Sequence, residues 1–380
     1  MNNKQSKELI SDPRANADWQ DNIQNLHELV PLAKQRLNPN TWGYLTGGSE
    51  TETALRRNRL AIDELAIRPR MLRDVSAIDS STSLFGRTLR APLILAPIGS
   101  LESFHPDGAA AVARAAERSE IFMAQSSVSK PELEETAAAA PNAAKIYQLY
   151  VKGDKDWVDE QVNRAKNAGF DAFCLTVDVQ HYSRRERDIA NRFVKPWRAT
   201  ALDDRYLARL NWNDVERFKA KHALPLAIKG IMTVEDAVEA VNLGVEAIWV
   251  SNHGGRQLDH TLGSMTVLPE IADAVAGRAR IIFDGGVWRG TDVIKAIALG
   301  ADAVAIGRLT ALAIAAGGEE SLVRALDLLT DEIMTAMGLM GAPRLDMINA
   351  DCISPAPATA DPRVFSAFPL LDKNTLEGLT

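Results

Sequence analysis

Short apolar runs recur along the middle of the chain, and most are followed by a stretch with apolar positions three and four apart. The runs are Pro92–Pro97, Ile121–Ser126, Ala144–Tyr150, Ala172–Val177, Pro225–Lys229, Ala247–Ser251, Ile281–Asp284 and Ala303–Ile306. Their length and apolar content read as buried strands, and stretches such as Asp107–Arg118, Asp154–Ala168, Thr233–Leu243 and Thr291–Leu299 read as helices. Thr233 and Asp236 have the spacing of a capping box, and Gly244 and Gly300 stand where helix C-caps belong. Eight strand-then-helix units within about 220 residues are what a parallel barrel requires, whereas an open doubly wound sheet fits six more naturally. The expected fold is an α/β protein built on a (β/α)8 TIM barrel.

The rest of the chain is arranged around that barrel as one domain of 380 residues. Residues 1–89 read as an N-terminal helical segment and lead-in, 90–342 as the barrel, and 343–380 as an irregular tail. Weak helical spacing covers Leu26 to Leu37, after which Pro39 and Gly47-Gly48 interrupt the chain. The segment Trp42 to Glu50, taken alone, reads as a packed helix end. Spacing between runs is regular except after the fourth, where about 50 residues precede the next strand. The inserted stretch, Arg184 to Trp212, is charged and aromatic, and long loops at the C-terminal ends of barrel strands control substrate access. The tail after Pro343, rich in Ala, Pro and Asp, is expected to strap across the surface, on this subunit or a neighbouring one.

Composition narrows the function classes. The chain is 46% hydrophobic and 24% charged with a formal net charge of −7, so no basic face is implied for nucleic acid. The 2 cysteines, Cys174 and Cys352, are far apart, and Cys174 sits in an apolar run as a small buried hydrophobe rather than half of a disulfide. No apolar run approaches the roughly 20 residues of a membrane-spanning helix, and the first residues lack an apolar signal core. A cytoplasmic location with no membrane partner, and no metal site, are the expectations.

Candidate chemistry gathers where the strands stop. The stretch Ser251-Asn-His-Gly-Gly-Arg-Gln-Leu-Asp259 leaves a strand and sets His253 beside Arg256 across two glycines. A histidine next to a permanent cation suits proton removal from an anionic substrate. The other strand ends read Pro97-Ile98-Gly99, Ser126-Ser127, Gln148-Leu149-Tyr150, Thr176-Val177-Asp178, Lys229-Gly230, Asp284-Gly285-Gly286 and Gly307-Arg308. A purely structural barrel has no need to collect polar groups on one rim. The glycine-rich seventh and eighth ends, with Arg289 and Arg308, occupy the usual phosphate corner of this fold. Lys229 would be a fixed cation near the barrel axis, able to form a Schiff base or to hold negative charge on a ring.

These residues, with Tyr44 and Arg185, resemble closely the FMN-dependent (S)-2-hydroxy-acid oxidases and dehydrogenases, from about residue 33 to 350 and in the same order. That family includes glycolate oxidase, lactate oxidase, lactate monooxygenase and mandelate dehydrogenase. The resemblance implies FMN as cofactor, a small 2-hydroxy acid as substrate, oxygen or another acceptor, and a homotetramer. In it, His253 would be the base and Asp178 its partner. Arg256 and Arg185 would clamp the carboxylate, Tyr44 would add a hydroxyl donor, and Tyr150 would meet the substrate hydroxyl or carbonyl oxygen. Lys229 would face the flavin edge that gains negative charge. Pro97, Ile98, Gly99, Ser126, Gln148, Thr176, Ser251, Asp284, Gly285, Gly286, Arg289, Gly307 and Arg308 would line or hold the cofactor. Two rival readings are other FMN-barrel chemistry, such as that of an isopentenyl-diphosphate isomerase, and a flavin-poor relative.

The chain departs from that pattern in places. Trp288 stands where the family usually has a phosphate-binding arginine, which implies weaker FMN binding unless Arg289 swings in. Val128 replaces a bulky tryptophan of glycolate oxidase, and Tyr182 replaces a pocket-lining aliphatic residue, with His181 and Arg184 adding polarity. These changes imply either a larger, more polar substrate or a repacked fourth loop. Gly99 stands where many oxidases carry alanine, which bears on oxygen access and leaves the acceptor open.

Overall fold

The computed structural model describes residues 23–194 and 205–371. The centre of the long fourth loop, 195–204, and the extreme ends lie outside them. Eight parallel strands close into a barrel: β1 (Leu93–Leu95), β2 (Phe122–Ser126), β3 (Ala144–Leu149), β4 (Ala172–Thr176), β5 (Leu226–Ile231), β6 (Ala247–Val250), β7 (Arg280–Asp284) and β8 (Ala303–Ile306). Closure is made by β8 on β1, with Val304 opposite Leu93. Both faces of the strands are buried, which is why they appear in the sequence as near-continuous apolar runs. Inward-pointing residues such as Ile94, Phe122, Ile146, Cys174, Trp249 and Ile282 fill the barrel, while Leu95, Tyr147, Phe173, Ile248 and Phe283 pack outward against the helices. A hairpin, Thr82–Leu84 with Arg87–Leu89, plugs the bottom, where Phe85 meets Phe122 edge-on.

The outer ring is α1 (Gly108–Arg118), α2 (Leu133–Ala139), α3 (Lys155–Asn167), α4 (Trp212–Lys221), α5 (Val234–Asn242), α6 (Ser264–Val275), α7 (Gly290–Ala298) and α8 (Arg308–Met340). Thr233 caps α5 by accepting the Asp236 amide, and Gly244 and Gly300 follow α5 and α7 with positive φ. α8 is interrupted at Gly317-Gly318, so it is two helices in line. One strand end differs from the sequence reading. β5 runs past Lys229 to Ile231 through a bulge, because Gly230 takes φ +112, where a Cβ would stand 2.7 Å from that of Asp178. Only a glycine lets that carboxylate come so close.

The segments outside the barrel are more regular than the sequence suggested. Pro39 starts a helix, Pro39–Thr46, with Asn38 as its cap, because proline is tolerated at the first helical position. The tail is not irregular throughout: Ile353–Pro355 pairs antiparallel with Leu65–Ile67, and the tail beyond packs on its own chain. A helix that the apolar spacing did not reveal, Thr53–Asp63, lies across the rim. Its N-terminus is capped from a distance: Asp259 accepts from the amides of Thr51 (3.0 Å) and Ala54 (2.7 Å). From the same helix Arg59 pairs with Asp63 and, fully buried, with Asp292 at 2.7 Å, while donating to the Gly286 carbonyl. Asp292 in turn accepts the amides of Trp288 and Arg289.

Removing one partner of such a pair leaves an uncompensated buried charge. Arg59→Met should therefore lower stability by about 3–5 kcal/mol in urea unfolding. A loss below about 1 kcal/mol, the worth of an exposed pair, would contradict this account of the rim.

Candidate active site

At the C-terminal ends of the strands lies a cleft of about 1010 Å³, part of it open to solvent. Its lining brings together Tyr44, Pro97, Ile98, Gly99, Val128, Tyr150, Arg185, Lys229, His253, Arg256, Asp284, Gly285, Gly286, Gly307 and Arg308. Leu45 and Phe104 also line it, which the sequence reading did not give to the pocket wall, and so do Val287 and Trp288 of the phosphate-corner stretch.

The loop after β6 supplies the imidazole. His253, Gly254 and Gly255 take φ of +59, +65 and +74, a run of left-handed residues that is strained for histidine and tolerated where a site demands it. A Cβ on Gly255 would lie 2.4 Å from the Leu55 amide nitrogen, so the rim helix can sit here only against glycine. Nδ1 of His253 lies 3.0 and 3.1 Å from the two oxygens of Asp178, and Nε2 lies 3.4 Å from the Tyr150 hydroxyl. Gln257 holds the Asp178 backbone by donating to its carbonyl (2.8 Å). Burial is the largest influence on the imidazole and lowers its pKa below 6.5, with Lys229 and Arg185 acting the same way and Asp178 opposing. Burial by itself would raise the Asp178 carboxyl, but the imidazole and Lys229 outweigh it and hold it below the ordinary range. The pair is thus a neutral imidazole donating Nδ1–H to an ionised carboxylate, with the Nε2 lone pair facing the cleft.

Lys229 is held as a cation. Burial acts to lower its pKa, but Asp284 and Asp178 reverse the sign and raise it. Its Nζ donates to Ser251 Oγ (2.7 Å) and lies 3.1 Å from Asp284, while Ser251 and Trp249 donate to Asp284 at 2.6 and 2.9 Å. A Schiff base needs a neutral amine, so the charge-holding role is the one this setting suits. Ser251 does not line the cleft itself; it acts through Lys229.

Three guanidiniums stand near one another. Arg185 Nε donates to Ser183 and to the Arg256 carbonyl at 3.2 and 3.3 Å, and burial followed by repulsion from Arg256 pushes it down to about 10. Arg256 lies over the Tyr44 ring at 4.8 Å and donates to the carbonyls of Tyr44 and Gly47. Arg308 donates to the carbonyls of Leu45, Gly254 and Gly47, and burial with repulsion from Arg256 brings it down to about 9. Tyr44 itself donates to the Gly99 carbonyl at 3.2 Å. The fourth loop is tied to the rim by Arg187, which grips both oxygens of Glu52 at 2.7 and 2.9 Å.

Two expectations are corrected. Arg289 does not reach the cleft: Glu332 on α8 takes its guanidinium at 2.7 Å and draws it to the outer side. Tyr182 is half-buried on the fourth loop and is not among the residues that line the cleft, where Arg185 and Tyr150 stand. Asn58, Arg59 and Asp292 carried no local signal, and Asp259 was read only as the end of the His253 stretch, yet together they hold the sixth and seventh loops. Their partners lie across the sequence, as in the mutual Asn58–Asn252 amide pair (2.8 and 2.9 Å).

Buried polar groups indicate what the cleft takes. Both ends of the Gln148 carboxamide and the Thr176 hydroxyl are buried without an oxygen or nitrogen partner. Each such group costs about 1–3 kcal/mol if left unsatisfied. A flat ligand with alternating donors and acceptors would satisfy them, and Lys229, Arg308 and the glycine-lined end suit a ring with an anionic tail. Ser126 lies buried beside them, its Oγ accepting the Val128 amide at 3.4 Å. The residues fit FMN.

The FMN-dependent dehydrogenase family model matches residues 33–355. A peroxisomal (S)-2-hydroxyacid oxidase of Arabidopsis thaliana is 40% identical over 351 residues, 86% of this chain and 95% of that protein. Glycolate oxidase 1 of Oryza sativa subsp. indica is 40% identical over 363 residues, covering 90% and 98%. A crystal structure of mandelate oxidase with 3,3-difluoro-2-hydroxy-3-phenylpropionic acid superposes with a TM-score of 0.82 at 38% identity, covering 89% of this chain and all of that one. By its barrel, its cleft and these relationships, the chain belongs to the FMN-dependent dehydrogenase family.

Proposed function

We propose that the protein oxidises an (S)-2-hydroxy acid to the 2-keto acid, the two electrons passing to FMN and from there to oxygen or another acceptor. The observation that carries this reading is the His253–Asp178 pair opening onto the same cleft as Arg185 and Arg256. FMN, when bound, supplies the electron sink. The substrate carboxylate sits between Arg185 and Arg256, whose mutual repulsion it relieves. His253 Nε2 takes the proton released from the CH–OH unit, and Asp178 stabilises the imidazolium that results. Tyr150 positions the substrate oxygen, and Lys229 would hold bound FMN by its ring and offset negative charge there.

The isomerase reading has no use for two arginines beside a histidine–aspartate pair, and a flavin-poor scaffold has no use for the unpaired Gln148 amide. The apolar wall of Val128, Phe104 and Leu45 supports a substrate with a side chain larger than those of glycolate and lactate. A homotetramer is proposed from the resemblance, with sedimentation velocity as its check. The cytoplasmic location is likewise a reading of sequence, set against relatives named as peroxisomal. No helix among the described residues is long and apolar enough to cross a membrane.

His253→Ala should leave FMN bound and slow its anaerobic bleaching by 2-hydroxy acids at least about 10²–10⁴-fold; near wild-type bleaching would remove the histidine as base. The rate of bleaching should fall on the acid side with an apparent pKa below 6.5, because the base must be neutral and its pKa is lowered. Asp178→Asn takes away the influence that raises it, so the acid limb should move further down while the maximum rate drops. A limb that moves up would contradict this electrostatic reading. Arg185→Ala loses a charged hydrogen bond of about 1.5–3 kcal/mol, so carboxylate affinity should weaken roughly 10- to 150-fold. An unchanged dissociation constant for a 2-keto acid would place the carboxylate elsewhere.

A further inference from the structure

The pair Trp288-Arg289, at the end of the cleft made by Gly285, Gly286 and Gly307, is engaged with the C-terminal tail. Trp288 is 3% exposed and lines the cleft on one side. On the other, its ring meets Phe365 and Phe368 with centroids 5.4 and 5.3 Å away. Arg289 donates to the carbonyl of Ala367, between those two phenylalanines, at 3.3 Å. The tail is gripped from the N-terminal side as well: Phe365 stacks on Trp42 at 5.8 Å, and Phe368 lies 5.1 Å from His27. Phe365 and Phe368 are 2% and 1% exposed, so they are an interior layer and not a surface decoration.

We propose that the tail around Phe365 and Phe368 is part of the cofactor site, holding Trp288 as the wall against which the phosphate-bearing end of FMN is retained. Trp288 would touch the ligand; Phe365 and Phe368 are positioning residues that act through it. With Arg289 taken by Glu332, Arg308 is the lining arginine nearest those glycines in sequence, and its three donor nitrogens are engaged with backbone carbonyls. Trp288 brings no charge where the family usually has a phosphate-binding arginine, so packing must contribute more of the hold at that position. An indole fixed by edge-on and tilted ring contacts cannot swing away from the cleft without uncovering the tail. The inference rests on the family's use of FMN and not on the substrate assignment.

The test is an FMN titration, by flavin fluorescence, of protein stripped of its flavin. Trp288→Ala and the double variant Phe365→Ala/Phe368→Ala should each raise the FMN dissociation constant tenfold or more. Leu370→Ala, at a position 72% exposed on the same tail, should leave it unchanged. FMN that does bind should still be bleached by 2-hydroxy acids. An unchanged constant in the double variant would overturn the proposal. Should that variant not fold, Trp288→Phe serves instead: FMN should quench less tryptophan emission than in the wild type, and equal quenching would overturn the proposal. Wild-type protein that takes up no FMN would overturn the cofactor itself along with the tail's role; normal uptake with unaltered variants would overturn the tail's role alone.

Discussion

Positive charge forced together away from water is the constraint on which this structure turns. Arg185, Lys229, Arg256 and Arg308 line one cleft, and Asp284 is the carboxylate among its lining residues. At the dielectric of a protein rim, like charges a few ångströms apart repel by as much as about 4 kcal/mol. That repulsion contributes to the lowering of Arg185 and Arg308, and an anionic ligand would relieve it. Lys229 is the exception, because Asp284 and Asp178 balance it, so one cation is fixed for the ring and the others are left for anions. The histidine fits the same logic. Burial keeps it neutral, its strong partner is an ionised carboxylate, and its other nitrogen, in reach of the Tyr150 hydroxyl, faces the place where the cations would hold a substrate.

Such an arrangement does not hold itself together; the scaffold supplies the restraint. The barrel sets the strand ends, and the rim helix Thr53–Asp63 then pins the sixth and seventh loops through Asp259, Asn252, Asp292 and Gly286. Glycines at 230 and 255 are where two backbones come too close for a side chain, one beneath Asp178 and one beneath the rim helix. The Glu52–Arg187 pair performs the same service for the fourth loop, which carries Arg185. Strain at His253 is therefore supported from several sides.

The barrel was legible because strands buried on both faces leave short apolar runs, and each of the eight expected runs became a strand to within a few residues. The rim chemistry was legible because barrels put their chemistry where strands end. What local pattern could not show was which polar residues answer to distant partners. Arg59 looks like any helix-surface arginine until Asp292 is beside it, and Asp259 looks like a loop end until it caps a helix some 200 positions earlier. Arg289 misled for the same reason, since its carboxylate, Glu332, belongs to a helix with no link to it in the local sequence. Trp288 was visible as a departure, but its meaning needed Phe365 and Phe368, which sit in a tail whose composition suggests little order.

The central claim is that the buried guanidiniums bind the substrate carboxylate so that the reacting carbon meets His253. A crystal structure of the FMN-loaded protein with a slowly reacting 2-hydroxy acid tests it directly. The account predicts the carboxylate between Arg185 and Arg256, with the carbinol group within hydrogen-bond reach of His253 Nε2. A carboxylate bound at Arg308 instead, or a carbinol turned away from the imidazole, would contradict it.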